Sequence, residues 1–240
     1  MTATPHRCAI AAVAVIAGTV FGIVPMAAAG AGELQLGGAS LGGTYLVRVE
    51  SLKERQFRTV LRQQEDFSCG AAALASLLTF HYGRPTAEED VATAMRAAGD
   101  AAKIARQGFS LLDMQRYLAA RGLAADGFRV TLDRLAAAGL PAITLIDVGG
   151  YRHFVLLKGV RGDEVLIGDP ATGLKVFDRR AFEAIWLGIA FLVRDQQAVA
   201  QANFNRADEW AMHLRAPLGS ALSRDTLADI TGIRAPFPRF

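Results

Sequence analysis

The sequence predicts an α+β fold in which several helices come first and an antiparallel sheet follows. Helical segments with recognisable start and stop signals lie between residues 69 and 122, and from residue 141 onward short apolar runs are separated by glycine-containing turns. Apolar residues at helical spacing indicate helices, whereas short runs bounded by turn residues indicate strands. Runs of helices followed by runs of strands are typical of the α+β class.

Length and composition predict one catalytic module. The chain has 240 residues, of which 52% are hydrophobic, enough for one domain with a substantial core. Its 26 basic and 23 acidic residues give a net charge of +3 and form no Lys/Arg cluster. Nothing in this pattern favours binding to nucleic acid.

The first 29 residues have the pattern of an export signal. Arg7 precedes an uncharged run over residues 8–31, and Ala27-Ala28-Ala29 offers the small residues that signal peptidase requires. We therefore expect residues 1–29 to be a cleaved signal peptide, or alternatively an uncleaved membrane anchor, and the protein to be periplasmic. Cleavage would remove Cys8 and leave Cys69 as the single cysteine, without an internal disulfide partner.

Three helices are predicted before the sheet. The first begins at Cys69 with Ser68 or Asp66 as its cap and ends at Gly83; the second follows a capping box at residues 86–89 and ends near residue 99. The third opens at Ser110 and ends near residue 122, and a shorter helix is expected over residues 132–138.

The second half of the chain predicts an antiparallel meander. Its strands are expected over residues 141–147, 152–160, 164–168 and 175–177, followed by a helix over residues 179–186 and a last strand over residues 188–193.

Both ends of the chain are predicted to lie outside the main domain at residues 61–195. Residues 30–60 form a lead-in, with a flexible glycine-rich part at 30–43 and two strands at 45–49 and 57–61 joined by a charged turn. Residues 196–240 form a tail whose sequence indicates no role, with a helix expected over residues 203–214.

Cys69 is placed for nucleophilic chemistry. The unpaired N–H groups and the dipole at a helix start favour negative charge, and the thiolate is the nucleophilic form of cysteine. The backbone N–H of Cys69 and the side-chain amide of Gln63 or Gln64 are candidate donors to an oxyanion. Without partners, however, Cys69 would be an inert buried cysteine.

Three histidines remain as candidate bases after the signal. His81 lies on the same helix as Cys69, about 18 Å along it, too far to reach the thiol. His213 belongs to the tail and is expected to be a solvated surface residue. His153 lies on a strand and is the best candidate, although a hydrogen-bonded core histidine is the alternative.

Asp169 is the candidate carboxylate that would orient His153. It ends the next strand of the meander, so the two residues can meet across an antiparallel pair, and Pro170 keeps it extended. Alternatively, Asp169 and Pro170 merely start a turn, and Asp147 or Asp163 is the partner.

Three blocks in this order resemble the Peptidase C39 family of papain-like cysteine peptidases. They are residues 63–74 around Cys69, residues 152–156 around His153, and residues 168–170 around Asp169. The resemblance implies a helical half that carries the cysteine, packed on an antiparallel sheet that carries His153 and Asp169. By the same resemblance, Cys69 is the nucleophile, His153 the base and acid, Asp169 the orienting residue and Gln63 the oxyanion donor, unless Gln64 aligns there instead.

The resemblance also implies the kind of substrate. Members of the family usually cut peptide leaders after a Gly-Gly pair, and we expect Gly70 and Gln64 to contact the substrate. The chain has no membrane spans after Val193 and no Walker A motif, so it looks like the stand-alone exported members, including those associated with functional-amyloid secretion, and neither ATP, another cofactor nor a metal is expected.

The predicted function is therefore a cysteine endopeptidase that acts on a small exported polypeptide, with a secretion apparatus as a candidate partner. One alternative is a protein that binds a leader or an amyloid subunit without cutting it. Another is a different acyl transfer on the same scaffold, because a fold does not fix the substrate.

Overall fold

The computed structural model describes residues 32–38 and 43–212, and the chain divides into two compact units at Val49 and Glu50. In the first unit, strand β1 (Gly32–Gly38) pairs antiparallel with β2 (Gly43–Val49). The strand predicted at residues 45–49 is confirmed. The expectation of a flexible segment is wrong for Gly32–Gly38, which pairs along its whole length.

The second unit starts with a short helix that the sequence did not predict. Helix α1 (Leu52–Gln56) is nucleated by a capping box, in which Ser51 Oγ accepts from Glu54 N and Glu54 accepts from Ser51 N. The strand predicted at residues 57–61 is wrong. The Leu61 N–H instead donates to Ser76 Oγ, and Val60 packs into the core.

The helical half contains α2 (Cys69–His81), α3 (Glu88–Ala98), α4 (Ala101–Gln107) and α5 (Leu111–Ala119). The helix that starts at Cys69 and the helix that opens at Ser110 are confirmed, and Ser110 forms a capping box with Asp113. The box predicted at residues 86–89 does not form, because Thr86 Oγ1 donates to Arg84 O and leaves Ala87 as the N-cap. Helix α4 was not predicted.

The elements of the second half are β3 (Ala125–Arg129), α6 (Leu132–Ala138), β4 (Ala142–Val148), β5 (Tyr151–Arg161), β6 (Glu164–Asp169), β7 (Gly173–Asp178), α7 (Arg179–Ile185) and β8 (Trp186–Val193). Its strands form one six-stranded antiparallel sheet with the order β3-β8-β4-β5-β6-β7. The meander of four strands is confirmed, and the last strand inserts beside β4 and pairs with β3, which was not predicted. The helix predicted at residues 132–138 is confirmed.

Helices cover both faces of this sheet. On one face α2, which is buried at nearly every position, packs with α3 and α5 against residues such as Leu156. On the other face α6 and α7 pack against Val155 and Leu157. Because side chains alternate along a strand, neighbouring residues of β5 face different layers, and this alternation decides where each residue of the site points.

The segment after β8 folds onto the sheet. It contains α8 (Gln197–Ala202) and α9 (Ala207–Ala211), and Trp210 packs against Val60 and Leu166. The single helix predicted over residues 203–214 is wrong at its start, where residues 203–206 are not helical; His213 lies outside the described residues. Within the described ranges, no helix is long and apolar enough to cross a membrane.

Candidate active site

Cys69 is the first residue of α2 and is 7% exposed. The loop that leads into Cys69 is held by Ser68, whose Oγ donates to Glu65 O at 3.0 Å and accepts from Glu65 N at 3.2 Å. Ser68 is the N-cap residue of α2, but its side chain makes no hydrogen bond to the helix. The predicted start of the helix is confirmed, and Cys69 belongs to the first turn, whose N–H groups have no partner within a helix.

His153 on β5 and Asp169 at the end of β6 form a buried pair. The His153 Nε2 and Asp169 Oδ1 atoms are 2.8 Å apart, and the two residues are 6% and 9% exposed. The prediction that these residues meet across the antiparallel pair is confirmed. Asp147 and Asp163 are not partners of the imidazole: Asp147 Oδ1 accepts from Gly150 N in a turn, and Asp163 O accepts from Arg179 N.

Asp169 is held as a carboxylate by several donors. Its Oδ1 also accepts from Ala171 N at 2.8 Å, and its Oδ2 accepts from Thr172 Oγ1 at 2.6 Å. Burial alone would raise the pKa of Asp169, but the hydrogen bonds from His153, Thr172 and Ala171 outweigh it and lower the pKa to about 2. The turn that follows Pro170 therefore belongs to the site.

The imidazole of His153 is set up to carry a positive charge. Burial alone would lower its pKa, but the hydrogen bond to Asp169 and the influence of the nearby Cys69 thiol raise the pKa to about 9. Its Nδ1 atom accepts and donates no hydrogen bond among the described residues. With Nε2 bound to Asp169, Nδ1 is the ring nitrogen that has no hydrogen-bond partner among the described residues.

His81, the other histidine among the described residues, lies in the helical half and has a different environment. It is fully buried at the far end of α2, and its ring nitrogens have no hydrogen-bond partner among the described residues. Burial and then the nearby cations Lys158 and Arg206 hold the pKa of His81 well below its usual value. It is a neutral core histidine, as its distance from Cys69 along the helix indicated.

Gln63 lies at the site, whereas Gln64 is exposed. The backbone N–H of Gln63 donates to Pro170 O at 3.0 Å, which fixes the glutamine beside the turn that holds Asp169. Its Nε2 donates to Glu65 O at 3.2 Å and to Asp66 O at 3.4 Å. The role of either glutamine at an oxyanion stays a prediction.

Gly70 is buried, and packing explains why it is glycine. A Cβ atom there would lie 2.6 Å from Met114 Cε and 3.3 Å from Phe109 Cβ, so the missing side chain lets α5 and the preceding loop approach α2. Contact between Gly70 and a substrate stays a prediction.

Tyr151 is a residue of the site that the sequence analysis missed. Its ring stacks on that of His153 with centroids 6.0 Å apart, and its hydroxyl donates to Asp66 O at 3.2 Å. The signal for it was its spacing, since a residue two positions before His153 on a strand lies on the same face.

Two depressions meet at this group. One, of about 400 Å³, lies on the Cys69 side and includes Phe67, Phe109, Tyr151 and Arg152 in its wall. The other, of about 520 Å³, lies on the side of His153 and Asp169 and is mostly apolar, with Ile146, Val148, Phe177 and Ile185 in its wall. Tyr151 belongs to both walls, so the two depressions adjoin at its ring.

A cysteine at a helix start, with a buried imidazole and carboxylate on an adjoining antiparallel sheet, is the arrangement of a papain-like cysteine peptidase. The model of the Peptidase C39 family matches residues 58–198. The chain belongs to the Peptidase C39 family, and it is a cysteine peptidase of α+β fold.

Curated relatives agree with this assignment. The chain is 43% identical over 155 residues to a protein named probable functional amyloid protease FapD from Pseudomonas aeruginosa, covering 65% of this chain and 69% of that one. It is 40% identical over 163 residues to a protein of the same name from Pseudomonas fluorescens, covering 68% and 72%.

Solved structures with similar architecture include two peptidase domains. The peptidase domain of Streptococcus ComA, a bifunctional ABC transporter, has a TM-score of 0.49 and 19% identity, over 56% of this chain and 96% of that one. A double glycine motif protease from an AMS/PCAT transporter, in complex with the leader peptide, has a TM-score of 0.47 and 29% identity, over 56% and 89%.

Proposed function

We propose that Cys69, His153 and Asp169 are the triad of a thiol endopeptidase that cuts a small exported polypeptide. The observation that carries the proposal is the 2.8 Å contact between His153 Nε2 and Asp169 Oδ1, which leaves Nδ1 for Cys69. A raised pKa of His153 favours an imidazolium, and an imidazolium beside a thiol stabilises the thiolate.

The reaction follows from these positions. The Cys69 thiolate adds to the carbonyl carbon of the scissile bond, and the negative oxygen is bound by the N–H of Cys69 and the Gln63 amide. His153 gives its Nδ1 proton to the leaving nitrogen, the C–N bond breaks, and a thioester remains. Water then loses a proton to His153 and adds to the thioester, which releases the carboxylate product and the thiolate.

The substrate is proposed to be a peptide with small residues at the cut, of which a Gly-Gly pair is the first candidate. Phe67 and Tyr151, each 50% exposed, line the depression beside Cys69. Their large rings favour small substrate residues next to the scissile bond. The relatives named probable functional amyloid proteases make an amyloid subunit or its exported partner a candidate substrate. A secretion apparatus is the candidate partner.

The site of action is proposed to be the periplasm. The support is the sequence of residues 1–29, with Arg7, the apolar run and Ala27-Ala28-Ala29. Fractionation of cells and the intact mass of the purified protein test this. The mass of a chain that begins at Gly30 indicates a cleaved signal peptide, and a full-length chain in the membrane fraction indicates an anchor.

Alkylation of Cys69 tests the triad without knowledge of the substrate. We expect iodoacetamide to modify the wild-type protein at pH 6 at least about tenfold faster than a model thiol, since an ordinary thiol is mostly protonated there. His153→Ala removes this advantage, and Asp163→Asn, which changes an exposed carboxylate outside the site, keeps it.

Cleavage is then measured by mass spectrometry on peptides that contain a Gly-Gly pair and on candidate amyloid subunits. Cys69→Ala abolishes cleavage in the proposal. An ordinary alkylation rate together with unchanged cleavage by Cys69→Ala refutes it, and co-purification of an uncut polypeptide with a fully reactive Cys69 indicates a binding protein instead. A mass increase from crosslinking in place of hydrolysis indicates a different acyl transfer.

A further inference from the structure

Strand β5 carries a bulge between His153 and the hairpin turn. Next to the hairpin turn, the paired residues of β5 and β6 are Arg161 with Glu164, Val160 with Val165, and Gly159 with Leu166. Farther from the turn the register shifts by one residue, and Leu157 pairs with Ile167. Lys158 is therefore an extra residue, opposite the same partner as Gly159. The segment toward His153 is displaced by one residue relative to β6.

This single extra residue decides whether His153 and Asp169 share a face of the sheet. In the observed register Leu156 pairs with Gly168, so Asp169 is on the face of Val155 and His153. Were the pairing at the turn continued without a bulge, Asp169 would lie opposite Leu156. A slip of one residue moves side chains to the opposite face of a sheet, so Asp169 would point toward α2 and away from His153.

The side chain of the bulged residue is locked in the interior. Lys158 is fully buried, and its Nζ donates to Thr59 O at 2.7 Å and to Thr59 Oγ1 at 3.0 Å. Its third contact is Glu209 Oε1 on α9 at 2.6 Å, and both side chains of this ion pair are 0% exposed. A buried ion pair whose partner is removed leaves an uncompensated charge, so the pair ties α9 to the bulge.

The backbone carbonyl groups at the bulge accept hydrogen bonds from residues 194–212, which follow β8 and are called the C-terminal segment. Strand β4 begins at Ala142, which pairs with Leu157, so it offers no partner beyond that point. The Asn205 N–H donates to Lys158 O at 2.9 Å, and Asn205 Nδ2 donates to Val160 O at 3.1 Å. Gly159 permits this approach, because a Cβ atom there would lie 2.2 Å from Asn205 Oδ1.

We infer that Asn205 and Glu209 are positioning residues, which hold the Lys158–Gly159 bulge and so keep His153 and Asp169 on one face of the sheet. Both residues lie beyond the part of the chain that matches the family model, residues 58–198. The C-terminal segment thus acts on the site through the register of β5, without contact with the reacting atoms. The inference rests on the proposed triad.

Two variants disturb this contact in different ways. Gly159→Ala changes no charge and pushes Asn205 away, and its control is Gly127→Ala, a strand glycine of β3 whose new Cβ would lie 3.7 Å from Leu111 Cδ1. Glu209→Gln keeps the shape of the side chain and removes its charge; its control is Glu183→Gln, which removes one of the two carboxylates that pair with Arg179 on the surface. A variant that does not unfold cooperatively is replaced by Asn205→Gly, in which glycine accepts the φ of 57°.

The readout is the pH dependence of Cys69 alkylation by iodoacetamide in the folded proteins. We expect Gly159→Ala and Glu209→Gln to react at least about tenfold more slowly than wild type at pH 6 and within about threefold of it at pH 10, where a free thiol is ionised without help. The controls keep the wild-type profile. A loss of stability alone would lower the melting temperature and leave the profile of the folded protein unchanged.

The outcomes separate the two proposals. A wild-type protein with the profile of an ordinary thiol refutes the triad. A reactive wild-type protein whose profile is retained in Gly159→Ala, Glu209→Gln and Asn205→Gly upholds the triad and overturns the positioning role of the C-terminal segment.

Discussion

Tyr151 stacks on the imidazole of His153 and donates its hydroxyl hydrogen to the carbonyl oxygen of Asp66 at 3.2 Å. It thereby joins the start of β5 to the loop that leads into Cys69, although the two belong to different halves of the fold. A ring that stacks on an imidazolium stabilises the charge and restricts the rotation of the imidazole. Tyr151 is therefore expected to set the geometry between His153 and the thiol.

Replacement of Tyr151 separates the contribution of the ring from that of the hydroxyl. We expect Tyr151→Ala to slow alkylation of Cys69 at pH 6 by about 3- to 30-fold, since an aromatic contact to a cation is worth roughly 0.5–2 kcal/mol. Tyr151→Phe keeps the ring and should stay within about threefold of wild type. The control is Phe128→Ala on β3, which removes an aromatic ring that is 40% exposed; equal rates for Tyr151→Ala and wild type would mean that the stacking has no effect on the site.

The His153–Asp169 pair predicts how stability depends on pH. The pKa of His153 is raised from 6.5 to about 9, so its contribution to the free energy of unfolding is complete below pH 6.5 and is lost as the pH rises through 9. Asp169 has a pKa lowered from 3.8 to about 2, so its contribution is complete above pH 3.8 and is lost as the pH falls through 2. The pair is fully stabilising between about pH 4 and 6.5.

Asp169→Asn tests this window. The raised pKa of His153 corresponds to roughly 3 kcal/mol, and the difference in free energy of unfolding between wild type and Asp169→Asn should be largest near pH 5 and shrink toward pH 10. Urea unfolding at several pH values measures it, with Asp163→Asn as the control. A difference that stays constant from pH 5 to pH 10 would contradict the charged pair.

Gly70 predicts a purely steric effect. The Cβ of Gly70→Ala would lie 2.6 Å from Met114 Cε, so α5 must shift or Met114 must change rotamer, and we expect a loss of about 1–3 kcal/mol in the free energy of unfolding. Gly127→Ala is the control. In a double-mutant cycle with Met114→Ala, the cost of Gly70→Ala should fall, because the space taken by the methionine is vacated; strictly additive effects would show that the two residues do not compete for that space.

The elements that the sequence predicted well are those with local signals. Helix α2 has glycine after its end and apolar residues at helical spacing, and α5 opens at Ser110 as predicted, with a capping box between Ser110 and Asp113. Residues 86–89 have the same pattern, but no capping box forms there, because the Thr86 N–H donates to Thr79 Oγ1 and Thr86 Oγ1 donates to Arg84 O. A local motif forms only where tertiary contacts do not compete for its groups.

The features that the sequence did not predict depend on long-range contacts. The segment at residues 57–61 has aromatic and β-branched residues typical of a strand, yet the Leu61 N–H donates to Ser76 Oγ of α2, and Val60 packs against Trp210. The residues of the proposed triad could be selected from their types and order, but the bulge at Lys158 lies where its side chain contacts Thr59 and Glu209, which are distant from it in sequence. The pattern of apolar residues in β5 does not predict contacts with residues so distant in sequence.

Gln63 and Gln64 are adjacent in sequence, and the structure separates their expected roles. Gln63 is half-buried, lines the depression that contains His153 and Asp169, and is fixed through its N–H to Pro170 O, whereas Gln64 is exposed. An oxyanion donor must be fixed before the reaction, since its contribution comes from dipoles that need not reorganise. Gln63 is therefore the expected donor.

Replacing each glutamine by alanine tests this assignment once a cleavable peptide is known. We expect Gln63→Ala to lower kcat by about 100- to 1000-fold with little change in KM, because the oxyanion forms only in the transition state. Alkylation of Cys69 involves no oxyanion, so its rate at pH 6 should stay within about threefold of wild type, and this distinguishes a lost donor from a disturbed triad. Gln64→Ala is the matched control, and a larger loss of kcat in Gln64→Ala than in Gln63→Ala would assign the donor to Gln64.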